Sequence, residues 1–240
     1  MIPGRMRKNE AIRPPFFEIG PKNYMYGKRV LDLAYAADMA SEKYDVDVIF
    51  TAPYADIRLV AEQTKNIHVF APHMDADPTG RGLANVLPES LKAAGAQGVM
   101  LNHSERPLTY SLLARTIARA KEVGLYTIVC ADSIAETKAV ALLAPDIIVA
   151  EPADLIASAK GADLSYLTAA YDAVKSVDPG IMVLVGAGIR HGNDVYDVIM
   201  HGCDASGTSS GVTLADDPEK MIDEMVAAAR EAWDARHSDK

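Results

Sequence analysis

Residues 98–152 read GVMLNHSERPLTYSLLARTIARAKEVGLYTIVCADSIAETKAVALLAPDIIVAEP, and this stretch decides the fold. Gly98 to Leu101 is a short apolar run, and Thr109 to about Val123 follows with a helical pattern. Leu125 to Cys130 is β-branched and apolar, Ile134 to Leu143 is helical again, and Asp146 to Ala150 returns to an apolar run. The apolar runs are nearly continuous rather than alternating, as in strands buried on both faces. A helix between successive strands of that kind predicts a parallel sheet.

The same rhythm extends in both directions. Upstream, Phe16 to Ile19 precedes an amphipathic stretch, Val30 to Ser41, in which Val30, Leu33, Ala34 and Ala37 share a face. Val46 to Phe50 leads into a helix near Tyr54 to Gln63, and Ile67 to Phe70 into a polar loop and a helix opening at Pro88 and Glu89. Downstream lie a helix from Ser165 to Val177, a strand from Ile181 to Val185, a short helix from Asn193 to Met200 and a last helix from Pro218 to about Ala235. Asp204 to Ser209 is a poor strand by propensity, and only the rhythm places one there. About eight βα units in 240 residues predict an α/β fold, a closed (β/α)8 barrel, as one domain over 16–240. Residues 1–15 carry Arg5, Arg7, Lys8 and Arg13 with no apolar core, which predicts a flexible N-terminal arm and no secretory signal.

Composition narrows the partners. The chain has 33 acidic and 24 basic residues, a net charge of -9, with 49% hydrophobic residues. This balance argues against nucleic-acid or anionic-membrane binding, although a local pocket on an acidic protein can still hold an anion. Cys130 and Cys203 read as reduced thiols, and the cytoplasm is the expected location.

In a barrel of this kind, function gathers at the C-terminal ends of the strands. The first strand ends in Gly20-Pro21-Lys22-Asn23-Tyr24, whose lysine can hold an anion or a developing oxyanion; taken alone it also reads as a solvated lysine. The fourth ends in Asn102-His103-Ser104-Glu105-Arg106, which offers an electrophile, a second ionisable group and a guanidinium. The sixth ends in Glu151-Pro152, where partial desolvation suits a general base, or where the acid simply caps the next helix. The seventh and eighth end in Gly186-Ala187-Gly188 and Ser209-Ser210-Gly211, small residues at the usual phosphate site of this fold.

Taken together, in this order and spacing from Phe16 to Ala229, these motifs resemble the triosephosphate isomerase family, particularly its shorter archaeal-type members, and its TIM barrel. The resemblance implies a sugar-phosphate isomerase of glycolysis and gluconeogenesis that needs no metal and no organic cofactor. It implies Glu151 as the base, His103 as a neutral electrophile, and Lys22 as the cation that stabilises the enediolate, with Glu105 positioning Lys22. Phosphate contacts would come from Gly186, Ala187, Gly188, Ser209, Ser210 and Gly211. A lid would run from Pro152 through Ile156, Ala157, Ser158 and Ala159. A homodimer or homotetramer would form through the loop Pro72 to Val86.

The chain departs from the family pattern in four places. Gly20 stands where the family has a substrate-contacting asparagine, and Leu83 where it has the threonine that reaches a neighbouring subunit. The lid's Ile-Gly-Thr-Gly is Ile156-Ala157-Ser158-Ala159, and an arginine of the histidine motif is Pro107. The first two changes leave room for a four-carbon ketose phosphate as an alternative substrate. Two further readings are a non-catalytic sugar-phosphate-binding barrel and an unrelated phosphate-binding lyase or synthase.

Overall fold

The computed structural model describes residues 10–151 and 164–238. Its strands are β1 (Phe16–Ile19), β2 (Asp47–Thr51), β3 (Ile67–Ala71), β4 (Gly98–Leu101), β5 (Tyr126–Ala131), β6 (Ile147–Ala150), β7 (Met182–Val185) and β8 (Ala205–Thr208). They form one closed barrel in chain order, every neighbouring pair parallel, with β8 hydrogen-bonded back to β1. The crossover helices are α1 (Lys28–Tyr44), α2 (Ile57–Gln63), α3 (Pro88–Ala93), α4 (Tyr110–Val123), α5 (Ile134–Ala141), α6 (Leu164–Lys175) and α7 (Gly192–Met200). A four-residue helix α8 (Ser210–Thr213) and the long α9 (Pro218–His237) follow β8. The expected (β/α)8 architecture is present.

Local sequence explains the element ends. Helix α4 begins where the Thr109 side chain accepts a hydrogen bond from the Leu112 N–H, and ends at Gly124 in the left-handed conformation. It buries Leu113, Thr116, Ile117 and Ala120, an i, i+3, i+4, i+7 stripe facing the barrel. The strands divide their side chains between two cores. One phase faces the helices, with Phe17, Ile19, Val48, Phe50, Val69, Val129, Ile148 and Val183 among them. The other fills the barrel with Phe16, Ile49, Phe70, Ile128, Ile147, Leu184 and Ala205.

The weak eighth strand exists because Ala205–Thr208 lies hydrogen-bonded between β7 and β1, and its four residues are buried. A Cβ on Gly207 would stand 2.9 Å from the Glu18 Cβ, so the strand must be small where β1 carries a large residue. Part of the expected N-terminal arm is instead packed. Ile12 is 6% exposed in the interior cluster, and the Arg13 N–H donates to Asp47 Oδ2 at 2.8 Å. Residues 1–9 lie outside the described part of the chain.

Candidate active site

One cavity of about 880 Å³ is walled by residues at and just beyond the C-terminal ends of the strands. Lys22, His103, Glu105, Glu151, Gly20, Gly186, Ala187, Gly188, Ser209, Ser210 and Gly211 all line it. Every candidate site residue within the described part of the chain is therefore gathered at one mouth. The expected lid residues Pro152, Ile156, Ala157, Ser158 and Ala159 lie outside the described residues.

Lys22 follows β1 with a positive φ of 46°, and its Nζ donates to Glu105 Oε1 at 2.8 Å. This ion pair holds the Glu105 carboxyl below its ordinary range, chiefly through that hydrogen bond. Glu105 in turn sets the histidine, because its backbone N–H donates to His103 Nδ1 at 3.1 Å. An accepting nitrogen carries no proton, so the neutral ring bears its proton on Nε2 and can donate from that side. Burial, reinforced by the charge of Lys22, holds the His103 pKa below its ordinary value and keeps the ring neutral.

The loop carrying these groups is anchored by Asn102, itself at φ 58°. Its Nδ2 donates to the Cys130 carbonyl and to Glu136 Oε1, each at 3.0 Å, while its Oδ1 accepts from the Leu108 N–H at 2.9 Å. Asn102 thus spends its side chain on fixing the turn that presents His103.

Glu151 leaves β6 with its backbone N–H bonded to the Ala131 carbonyl at 2.9 Å. Burial raises its carboxyl pKa above the ordinary value, and the Lys22 charge partly offsets the rise. Space for that carboxyl comes from Gly186, where an added Cβ would lie 2.6 Å from Glu151 Oε1.

Beyond Gly186 the glycine and serine loops interlock. Ser209 Oγ donates to the Gly20 carbonyl at 2.6 Å, and the Gly211 N–H donates to Thr208 Oγ1 at 3.2 Å. Thr208 Oγ1 itself donates to the Ile189 carbonyl at 3.0 Å. The Ser209 hydroxyl and the Gly211 N–H thus help tie the last two loops to each other and to β1.

Two further residues join the site that their sequence context does not single out. Arg190 and His191 line the same cavity directly after the Gly186–Gly188 loop. Their backbone N–H groups both donate to Asp194 Oδ2, at 2.8 and 2.9 Å, which fixes the entry to α7. A cation immediately after a glycine-spaced strand end is the signal the sequence offers for them. Glu18, on the inward face of β1, is a second buried carboxyl in the cavity wall. Its signal is one acid inside an otherwise apolar strand.

Comparison with known proteins agrees with this arrangement. The family described as Triosephosphate isomerase matches residues 21–225. A protein named "Triosephosphate isomerase" from Sulfurisphaera tokodaii is 34% identical over 230 residues, covering 94% of this chain and 100% of the relative. Relatives of the same name from Sulfolobus acidocaldarius (33% identical, 94% of this chain, 99% of the relative) and Methanobacterium bryantii (34%, 91% and 99%) are similar over comparable spans. With its closed eight-stranded barrel and nearly end-to-end likeness to these proteins, the chain belongs to the triosephosphate isomerase family.

Proposed function

We propose that this protein interconverts glyceraldehyde 3-phosphate and dihydroxyacetone phosphate by proton transfer through an enediolate. The observation that carries the reading is one cavity shared by the desolvated Glu151 carboxyl, the neutral His103 ring and the Lys22 ammonium. Glu151 takes a proton from the carbon beside the carbonyl, its raised affinity for a proton bringing it closer to that task at neutral pH. His103 polarises the carbonyl by donating from Nε2 and moves a proton between the two oxygens. A glutamate base beside a neutral imidazole is a known solution to this chemistry. Lys22 supplies the positive charge that the enediolate and phosphate require, and Glu105 positions both Lys22 and His103. The phosphate lies against the loops after β7 and β8, where Arg190 adds a cation at the rim.

The four-carbon substrate and the non-catalytic barrel are not favoured, since the similar proteins carry the name triosephosphate isomerase over nearly their full lengths. The proposed state is a homo-oligomer in the cytoplasm, with the loop Pro72 to Val86, in which Leu83 is 94% exposed, as the contact. Among the described residues no helix is long and apolar enough to cross a membrane.

A coupled assay run in both directions tests the activity. Glu151→Gln should lower kcat about a thousandfold with a small change in KM. Absence of isomerisation by the wild-type chain, or a variant within threefold of it, overturns the reading.

A further inference from the structure

Proton abstraction at carbon uses Glu151, and Glu105 is paired with Lys22, yet the cavity wall holds a third carboxyl. Glu18 is the only charged residue of β1, and it points into the barrel in phase with Phe16, which belongs to the interior cluster. It is 7% exposed. Its neighbours are arranged around it rather than merely near it. Thr51 Oγ1, on the adjacent strand β2, donates to Glu18 Oε1 at 2.5 Å. A Cβ on Gly207, across the β1–β8 pairing, would lie 3.3 Å from Glu18 Oε2. One on Gly20 would lie 3.2 Å from Oε1, so the room that a side chain at position 20 would claim belongs to the Glu18 carboxyl.

Charge decides the form of that carboxyl. Lys22 and Glu151 both act electrostatically on Glu18, the lysine favouring ionisation and the second carboxyl opposing it. Glu18, Glu151, the Lys22-paired Glu105 and a phosphate dianion around one lysine repel each other; holding one carboxyl neutral relieves that repulsion. Glu151 must be ionised to accept a proton, and the Lys22 hydrogen bond favours the ionised form of Glu105, which leaves Glu18 as the neutral partner. The Thr51 hydroxyl already occupies Oε1 as an acceptor, so the proton of a neutral Glu18 belongs on Oε2.

We propose that Glu18 is a substrate-contacting residue whose neutral carboxyl donates a hydrogen bond from Oε2 to an acceptor oxygen of the reacting hydroxyketone phosphate, without giving up its proton. This deepens the isomerase reading and rests on it. A carboxylic acid kept neutral in an apolar wall so that it can donate to an oxyanion is an established device of enolising enzymes. The charge environment is consistent with it: burial, the largest influence, and the nearby Glu151 push the Glu18 pKa from 4.5 up to about 7 against the pull of Thr51 and Lys22. Cys130 on β5, another titratable group of the cavity wall, is held as a thiol chiefly by burial. From β8 the facing residue is Gly207, which carries no charge.

The test compares wild type, Glu18→Gln and Glu18→Ala for kcat/KM on the triose phosphates from pH 6 to 9, and for binding of 2-phosphoglycolate. Glutamine keeps a donor that cannot ionise; alanine keeps none. At pH 6 the glutamine variant should lose about threefold and the alanine variant about a hundredfold in kcat/KM. As pH rises through 7 the wild type should decline relative to the glutamine variant, whose ratio to it rises several-fold. The alanine variant should bind 2-phosphoglycolate about tenfold more weakly than the glutamine variant. An alanine variant within twofold of wild type, or a glutamine variant as impaired as alanine with no gain toward high pH, overturns the inference. If alanine fails to fold, the slope of the glutamine-to-wild-type ratio with pH decides alone. If the three proteins bind 2-phosphoglycolate in the predicted order but the wild type turns over no triose phosphate, the isomerase reading fails and the Glu18 contact stands.

Discussion

Replacing Glu18 by glutamine should stabilise the folded protein at neutral and alkaline pH and do little at acid pH. In the unfolded chain the carboxyl titrates near its ordinary 4.5, whereas burial beside Glu151 raises it to about 7 in the folded state. Between those values the folded protein holds a proton that the unfolded chain has released, so each rise in pH favours unfolding. Below 4.5 both states are protonated and the penalty vanishes; above about 7 both are ionised and it levels off. The span corresponds to roughly 3 kcal/mol at the plateau, an upper figure because Glu151 and Lys22 readjust when Glu18 changes charge. Glutamine can still accept from the Thr51 hydroxyl that now bonds Oε1 at 2.5 Å, so the substitution removes the charge while keeping the contact. Urea unfolding of both proteins at pH 5, 6, 7 and 8 measures it. The stability difference should grow with pH by about 2 to 3 kcal/mol and then flatten. Two parallel curves would mean that Glu18 ionises at its ordinary pKa despite its burial, and the cavity would then hold no neutral acid at pH 7.

Other perturbations have equally definite expectations. Lys22→Met should lower kcat/KM by about a hundredfold or more. Because Lys22 pulls the Glu151 pKa down and that carboxyl must be ionised to act, the acid limb of the pH–rate profile should also move to higher pH. Gly211→Ala should cost about 1–3 kcal/mol in urea unfolding and raise KM, since its Cβ would stand 2.5 Å from the Ile189 carbonyl and force apart the two interlocked loops. Ile117→Ala, at a position 2% exposed where α4 packs on the barrel, should cost about 3 kcal/mol while leaving KM unchanged.

What can be read from the chain depends on which physical signal each element needs. Strands β2, β5, β6 and β7 are buried on both faces, so their apolar runs announce them, and helices such as α4 show their stripe and their caps. The charged strand ends are legible for the same reason: Lys22, His103 and Glu151 break apolar or small-residue runs at the place where a barrel exposes its loops. Ala205–Thr208 is legible only by rhythm, because its small residues answer to a neighbour rather than to any propensity of their own.

Glu18 shows the limit from the other side. Burial on both faces makes a strand readable as a strand, but it also erases the alternation that would tell inward from outward residues. In four residues, Phe16–Ile19, the phase of one glutamate cannot be set from within. Pairing sets it: Glu18 faces Ile49 on one side and Gly207 on the other, and the glycine leaves the space into which its side chain turns. Gly20, which from sequence alone reads as a missing amide in the pocket, is in the fold the clearance beside a different polar group. The two residues make one feature, divided between a position that supplies the group and a position that makes way for it. A substitution that refills the clearance should therefore act through Glu18. Gly20→Ala, whose methyl would lie 3.2 Å from Oε1 and 3.9 Å from the Thr51 Cβ, should impair wild-type turnover by displacing the carboxyl, yet add little to the loss already present in a Glu18→Ala background. A double-mutant cycle on kcat/KM in which the two losses simply multiply would separate the positions and leave Gly20 as an independent change.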